Sequence, residues 1–472
     1  MNKGVSAILC GLIIDMLAFL YIGFAILAVL SIGVSFVLTG HAWEHFRYAR
    51  GSFRVDRTPC FLGRIGLIVP CKGADFALKE NLSCLFSQDY EDYEIYFVVE
   101  SADDPACGII RKILSSQSHI PAYLIVAGET THGGQKIHNL LCGYRALTPE
   151  VETIVFADSD VAPKHDWLTQ LTTPLRLVNV HAVTSYRWFV PQRSGFANFL
   201  LFSINSAVMG MVCSRRQSVI WGGSWAILRE TFRKSEIPDR WDGCLSDDLF
   251  ATARLNQLRL NIYFEPRCVV PSSLDFRVST MWEFLCRQCF MGRWYLNKSW
   301  LLGVAHTSLS MLVFWGGLLC GGGLLLSGQP MLGSIGFAMA GLLWAQAALR
   351  SKWRQAAGCF YVRSQNTSVQ QARWFDFFCY PLTLTVLWTA LCSVAAQRFV
   401  RWKGIGYRVG KAGDVQIIDR EPSANTISGP LVIASSMAVA QPKHGSTEQR
   451  PTLSLYTEEK EITKRSMNRR IA

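Results

Sequence analysis

Charge is scarce in this sequence, and it is missing in blocks. Asp, Glu, Lys and Arg make up 17% of 472 residues, against roughly 25% in soluble domains. Residues 6–39 hold one charge, Asp15; 301–328 and 330–349 hold none; 375–396 hold only Asp376. About 20 apolar residues carry a helix across the hydrocarbon layer, so the four blocks exclude a wholly soluble protein and predict four spans. No small-residue cleavage pattern follows the first block, whose apolar part is far longer than the core of a secretory signal. It reads as a retained anchor. A disulfide framework is also missing. There are 15 cysteines, but Cys10, Cys320, Cys379 and Cys392 fall inside apolar blocks and the rest show no framework spacing. Cys286 and Cys289 form one CxxC without the second pair that a structural zinc site needs. Reduced thiols are expected.

Positive charge, by contrast, is in surplus: 47 Lys and Arg against 35 Asp and Glu, a net +12. The excess flanks the apolar blocks. Arg47, Arg50, Arg54, Arg57 and Arg64 follow the first block, Arg350, Lys352, Arg354, Arg363 and Arg373 lie between later ones, and Arg398, Arg401, Lys403 and Arg408 follow the last. Basic residues beside spans mark the cytoplasmic face and meet anionic headgroups. The charge therefore implies a membrane rather than nucleic acid, and it places the central region in the cytosol. One conflict results. One span before that region and three after it put the C-terminus on the far side, against its basic flank. A re-entrant block, a double crossing by the first block, or a failure of the charge rule would each resolve it.

Four segments follow from the pattern: a membrane anchor over 1–45, a soluble domain over 46–298, a membrane region over 299–408 and a disordered tail over 409–472. Within the soluble segment, β-rich runs at 65–70, 93–99, 122–127 and 153–157 alternate with helical patterns such as Leu78, Leu82, Leu85 and Phe86. Such alternation predicts an α/β domain with a mostly parallel sheet and crossover helices. Ligands then bind beyond the C-terminal ends of the strands. From Val409 the chain is polar, with little periodicity, and no chemistry is assigned to it.

Polar clusters sit at those strand ends. Glu100, Asp103 and Asp104 follow the second run, although acidic loop residues also cap helices and form turns. Asp158-Ser159-Asp160 follows the fourth; two aspartates one residue apart at a strand end can share a hard divalent ion, which keeps positions open for phosphate oxygens. Lys136 and Asn139, three apart on one helix face, suit a base and a phosphate, or simply a solvated face; His138 beside them is incidental. Trp221-Gly222-Gly223-Ser224-Trp225 offers close backbone approach and stacking indoles for an acceptor, or a tight turn with core aromatics. Ser246 caps a helix, and of Asp247 and Asp248 one is left to take a proton from an acceptor hydroxyl. Arg287, Gln288, Arg293 and Trp294 lie just ahead of the membrane, either as an interfacial helix or as a diphosphate grip.

In order, the stretches 67–73, 88–90 and 93–105 followed by these clusters closely resemble ceramide glucosyltransferase and its bacterial relatives, inverting nucleotide-sugar transferases of GT-A fold. The likeness covers about 65–294. It implies that Asp104, Lys136, Asn139, Asp158, Gln288, Arg293 and Trp294 bind the donor, that Asp158 and Asp160 hold Mg²⁺ or Mn²⁺, and that Asp248 is the base. Gly222, Gly223, Ser224 and Trp225 would face the acceptor. The implied reaction is single-displacement transfer of a hexose, glucose first, from a UDP-sugar to a lipid hydroxyl such as ceramide, a hopanoid or a glycerolipid. One position departs: the polar residue that should stand three before Arg293 is Phe290, and Gln288 lies two residues earlier. The rivals are a processive polysaccharide synthase, which shares the acidic triplet, and a silent membrane scaffold.

Overall fold

A computed structural model describes residues 2–55, 62–75, 77–117, 119–213, 218–362, 366–410, 414–420 and 431–434. All of these lie within Met1–Ser435, and residues 436–472 of the expected tail fall outside the described residues. Helix α1 (Asn2–Ser52) runs unbroken from the apolar block into the soluble domain. Strands β1 (Arg64–Pro70), β2 (Tyr93–Val99), β3 (Ala122–Val126) and β4 (Val151–Ala157) alternate with helices α2 (Leu78–Cys84), α3 (Pro105–Ser116) and α4 (Gln135–Ala146). Then come α5 (Trp167–Thr172), β5 (Ala182–Thr184), β6 (Arg187–Pro191), α6 (Phe196–Val212), β7 (Ser224–Leu228), α7 (Arg229–Lys234), α8 (Ile237–Arg240), α9 (Asp247–Gln257), β8 (Ile262–Phe264) and β9 (Val270–Leu274).

The main sheet runs β3-β2-β1-β4-β7-β5-β8 from near one edge to the other. β1 pairs in parallel with both β2 and β4, β2 in parallel with β3, and β7 antiparallel with β4 and β5. The sheet is mixed and mostly parallel, as expected. Its central strands β1, β2 and β4 are buried along nearly their whole length because helices cover both faces. Alternate residues serve the two sides: Leu67 and Val69 join the cluster with Leu82 and Ile110, while Ile68 joins the one with Ile137 and Trp225.

After α10 (Val278–Tyr295) the chain enters α11 (Asn297–Leu326) and α12 (Pro330–Tyr361). These two and Tyr21–Ser52 of α1 are the helices long and apolar enough to cross a membrane singly. Small residues let α11 and α12 touch. A Cβ on Gly317 or Gly321 would come within 2.8 or 2.9 Å of the backbone oxygen of Gly336 or Gly333. The fourth expected span is instead a pair, α13 (Thr367–Phe378) and α14 (Tyr380–Ser393), bent by 83° at the break between them. The break at Cys379 falls just ahead of Pro381, which has no N–H to continue the α13 ladder and is tolerated in the first turn of α14.

The chain then returns to the soluble domain as β10 (Phe399–Trp402), β11 (Ile405–Val409) and β12 (Val415–Arg420), an antiparallel three-stranded sheet. Gly133 N donates to Val415 O at 2.9 Å, and Val400, Ile405, Tyr407, Val409 and Val415 share one core with Leu285 and Phe290 of α10. A last strand, β13 (Leu431–Ala434), pairs antiparallel with β3 at the sheet edge. Two expectations are corrected here. Residues 415–420 and 431–434 are ordered strands rather than disordered tail. And the fourth apolar block is not one straight helix: α13 and α14 meet at 83°, and the chain after them returns to the soluble domain as β10.

Candidate active site

A cavity of about 390 Å³ opens at the C-terminal ends of β1 and β4, within the usual range of small-molecule sites. Its floor comes from the sheet edge, with Cys71 and Lys72 after β1 and Asp158 to Asp160 after β4. One wall is the first turn of α4, which presents Lys136 and Asn139. Another is the start of α9, with Asp247 and Asp248, and a third is the α10 face carrying Phe284, Arg287, Gln288 and Met291. Those four recur at i, i+3, i+4 and i+7, one stripe of a helix.

Lys136 Nζ lies 2.8 Å from Asp158 Oδ1 and 3.2 Å from Asp247 Oδ2. Burial alone would depress its pKa, but Asp158, Asp247 and Asp248 outweigh this and raise it. Asp247 is pushed up to about 6, by burial first, with Lys136 pulling the other way and Asp248 and Asp158 adding to the rise. Ser246 does cap α9, its Oγ accepting from Leu249 N. The same hydroxyl donates to Asp248 Oδ1 at 2.6 Å, Leu249 N donates to that oxygen at 2.7 Å, and Gly222 N donates to Asp248 Oδ2 at 3.1 Å. Three donors fix the direction of this carboxylate.

Gly222 fits its place because it has no side chain. A Cβ there would stand 2.6 Å from Asp247 Oδ2 and 2.9 Å from Lys136 Nζ. Gly223 is pinned by Trp221, whose ring a Cβ would meet at 2.2 Å. Two further expectations are corrected. Ser224 accepts from Trp167 Nε1 at 2.9 Å, and fully buried Trp225 stacks on Phe156 with ring centroids 4.4 Å apart. Both lie in β7, inside the sheet, away from the cavity; the indole that lines it is Trp221.

Asp104 also stands outside the lining. Its Oδ1 caps α3 through Ala106 N and accepts from Gly73 N at 2.9 Å, bracing the loop that carries Lys72. Arg293 and Trp294 are turned away as well. Arg293 lies on the opposite side of α10 from the Phe284–Met291 stripe, its Nη1 used on the carbonyls of Val394 (2.9 Å) and Gln397 (2.5 Å) just past α14, while Trp294 packs on Phe290 against the core. Phe290 is buried in the core while Gln288 faces the cavity, so the displaced polar position is on the productive side of the helix.

The sequence reading passed over several lining groups. Arg187, on β6, reaches the cavity opposite Arg287, and the two guanidiniums stand 5.3 and 5.4 Å from the Phe284 ring centre. Among the described residues neither pairs with a carboxylate, and burial followed by Arg187 lowers Arg287 to about 10. Trp402, Lys403 and Tyr407 close the cavity from the C-terminal sheet. Only the alternation of Ile405, Tyr407 and Val409 hinted at that sheet.

Metal fit rests on Asp158 and Asp160. No group of three or more His, Cys, Asp or Glu among the described residues is arranged to hold an ion. Two carboxylates completed by substrate phosphate oxygens are nonetheless a normal Mg²⁺ donor set. Asp160 keeps solvent contact, yet desolvation by surrounding atoms and then repulsion from Asp158 raise its pKa. Asp158 already pairs with Lys136, and Asp160, which has no ion pair among the described residues, is the carboxylate open to a cation.

The model of glycosyl transferase family 21 matches residues 23–415. "Ceramide glucosyltransferase 3" of Caenorhabditis elegans is 29% identical over 234 residues, 47% of this chain and 49% of that protein. "Ceramide glucosyltransferase 1" of the same organism is 26% identical over 175 residues, 35% of this chain and 37% of that protein. The matched stretch thus spans half or less of these relatives. Among solved structures, a mannosyltransferase from Pyrobaculum calidifontis in complex with GDP-Man and Mn²⁺ superposes with a TM-score of 0.42 at 18% identity, over 78% of this chain and 97% of that one. With a family model covering most of its length and the strand-end residues gathered in one cavity, the chain belongs to glycosyl transferase family 21.

Proposed function

We propose that this chain is a membrane hexosyltransferase that moves glucose from a UDP-sugar to the hydroxyl of a bilayer lipid, ceramide first, with inversion. One observation carries the reading: Asp158, Asp160, Lys136, Asp247 and Asp248 meet in one cavity, in a domain whose flanking helices are long and apolar enough to span a membrane. The names of the two curated relatives support the lipid acceptor.

In this mechanism Asp158 and Asp160 would hold Mg²⁺ or Mn²⁺, which would supply charge neutralisation for the departing diphosphate. Asn139 and Lys136 steady the nucleotide side. Gln288, with Arg287 and Arg187, meets the phosphates, since guanidinium groups match phosphate oxygens in geometry and charge. Asp248 accepts the proton of the acceptor hydroxyl as its oxygen bonds to the anomeric carbon and the bond to UDP breaks. A single displacement inverts that carbon. Gly222 leaves room beside Asp248, and Trp221 walls the acceptor side. The basic flanks support a cytosolic position for the catalytic domain, where nucleotide sugars are available.

Membranes containing the full chain, incubated with a panel of UDP-sugars and analysed by lipid mass spectrometry, test this reading. The expected product is a lipid bearing one hexose. A polysaccharide would instead make the chain a processive synthase, and no UDP-sugar turnover at all would sink the proposal.

A further inference from the structure

The turn between β10 and β11 is unusual. Lys403 and Gly404 occupy its two central positions with φ of +50° and +76°, and Trp402 pairs with Ile405 across it. Two-residue hairpins of this kind need positive φ at both positions and favour Asn or Gly there. A lysine in the first is strained, and such strain clusters where a side chain has work to do.

The side chain of this lysine lines the cavity rather than open solvent. Its nearest described carboxylate is Asp75, at a loose 3.8 Å. Lys403 therefore shares the cavity with Lys72 after β1 and with Asp158 and Asp160 after β4.

The hairpin is also held there. Arg287 lies 5.6 Å from the centre of the Trp402 ring. Tyr407 accepts from Gln135 N at 3.3 Å. On β12, Arg420 pairs with Glu100 and donates to Thr130 O and Gln135 Oε1, each at 3.1 Å. Glu100 also takes Lys72 at 2.6 Å. Arg420 thus latches the C-terminal sheet to the ends of β2 and β3, next to the first turn of α4.

We infer that the C-terminal sheet is the outer wall of the donor site, with Lys403 as a phosphate-binding cation and Arg420 as the positioning residue that holds it over the aspartate pair. This rests on the UDP-sugar reading above and deepens it. A strained, loosely paired ammonium in the same cavity as two carboxylates is suited to a ligand that brings both a metal and a diphosphate.

The test uses the full chain in detergent with Mn²⁺, a fluorescent UDP analogue as probe, and UDP and uridine as competitors. Wild type should release the probe to UDP at far lower concentration than to uridine. Lys403→Met should weaken UDP roughly tenfold, the size of one lost charge-assisted contact, and leave uridine unchanged. Lys403→Arg should restore most of the UDP affinity, which guards against misfolding of the Met variant. Arg420→Gln should weaken UDP in the same selective way but less. If Lys403→Met binds UDP as wild type does, or loses UDP and uridine equally, the inference is wrong. If wild type binds neither the probe nor UDP, the sugar-nucleotide reading itself fails.

Discussion

The cavity is shared by two regions built in different ways. On the sheet side, Asp158 and Lys136 sit where buried elements end, at the close of β4 and in the first turn of α4, so their positions follow from a core shielded on both faces. On the far side, Trp402 and Lys403 ride on a two-residue turn of a three-stranded sheet, anchored by Arg420 and by apolar contacts with α10. The first region can be placed from local pattern; the second exists only through contacts with residues about 110 to 320 positions earlier. The contrast suggests a division of work: fixed carboxylates on the sheet for chemistry, and a detachable wall for holding and releasing the nucleotide.

The largest expected effect belongs to the sheet side. Asp248→Asn keeps the size of the side chain and most of its contacts but removes the base, so kcat should fall by about 10² to 10⁴, read as hexosyl-lipid formed per unit enzyme. A rate near wild type would shift the base to Asp247. Next comes α10. Arg287→Gln should raise KM for the donor about tenfold through loss of a charged contact, while Arg293→Gln should leave KM alone and lower the melting temperature by freeing two carbonyls. If the two exchange roles, the helix face has been misassigned.

Smaller effects concern the joint between the regions. Arg420→Gln leaves Glu100 with Lys72 as its partner, so the fold should survive, but hydrogen exchange over 399–420 should quicken while exchange in β1 to β4 does not. Uniform change across both would show that the wall is not separable. The subtlest prediction concerns pH. Asp247 is lifted to about 6 by burial, from about 3.9 in an unfolded chain. Between those values the folded state binds the extra proton, so stability of the ligand-free protein should fall as pH rises from about 4 to about 6. Asp247→Asn should flatten that stretch of a melting-temperature series; an unaltered slope would remove Asp247 as its source.

Legibility in the sequence follows the same divide. Strands at 65–70 and 93–99 were readable because fully buried parallel strands are continuous apolar runs, and Asp158, Asp160, Lys136 and Asp248 because each directly follows or begins such an element. The DxD, the K-x-x-N pair and the paired aspartates all reach the cavity. Asp104 did not, because an acid just before a helix serves equally as a cap, and here it caps. Ser224 and Trp225 were misplaced because the turn ends one residue earlier than its motif suggests and β7 has already begun. Arg293 was misplaced because a helix stripe, not nearness in sequence, decides what faces the ligand. Strands β10 and β11 were read into the membrane region and β12 and β13 into the tail, because a period-two pattern of five residues, Ile405 to Val409, is too short to stand out within polar sequence. Arg187 left no mark, since its strand β6 pairs only with β9, far along the chain.

The most direct measurement is a cryo-EM map of the full chain with UDP and Mn²⁺ bound. The account predicts density for one nucleotide between the α4 turn and the β10–β11 hairpin, with an ion against Asp158 and Asp160 and the Lys403 side chain directed at phosphate. Nucleotide density elsewhere, or in this cavity with Lys403 and the aspartate pair untouched, would contradict it.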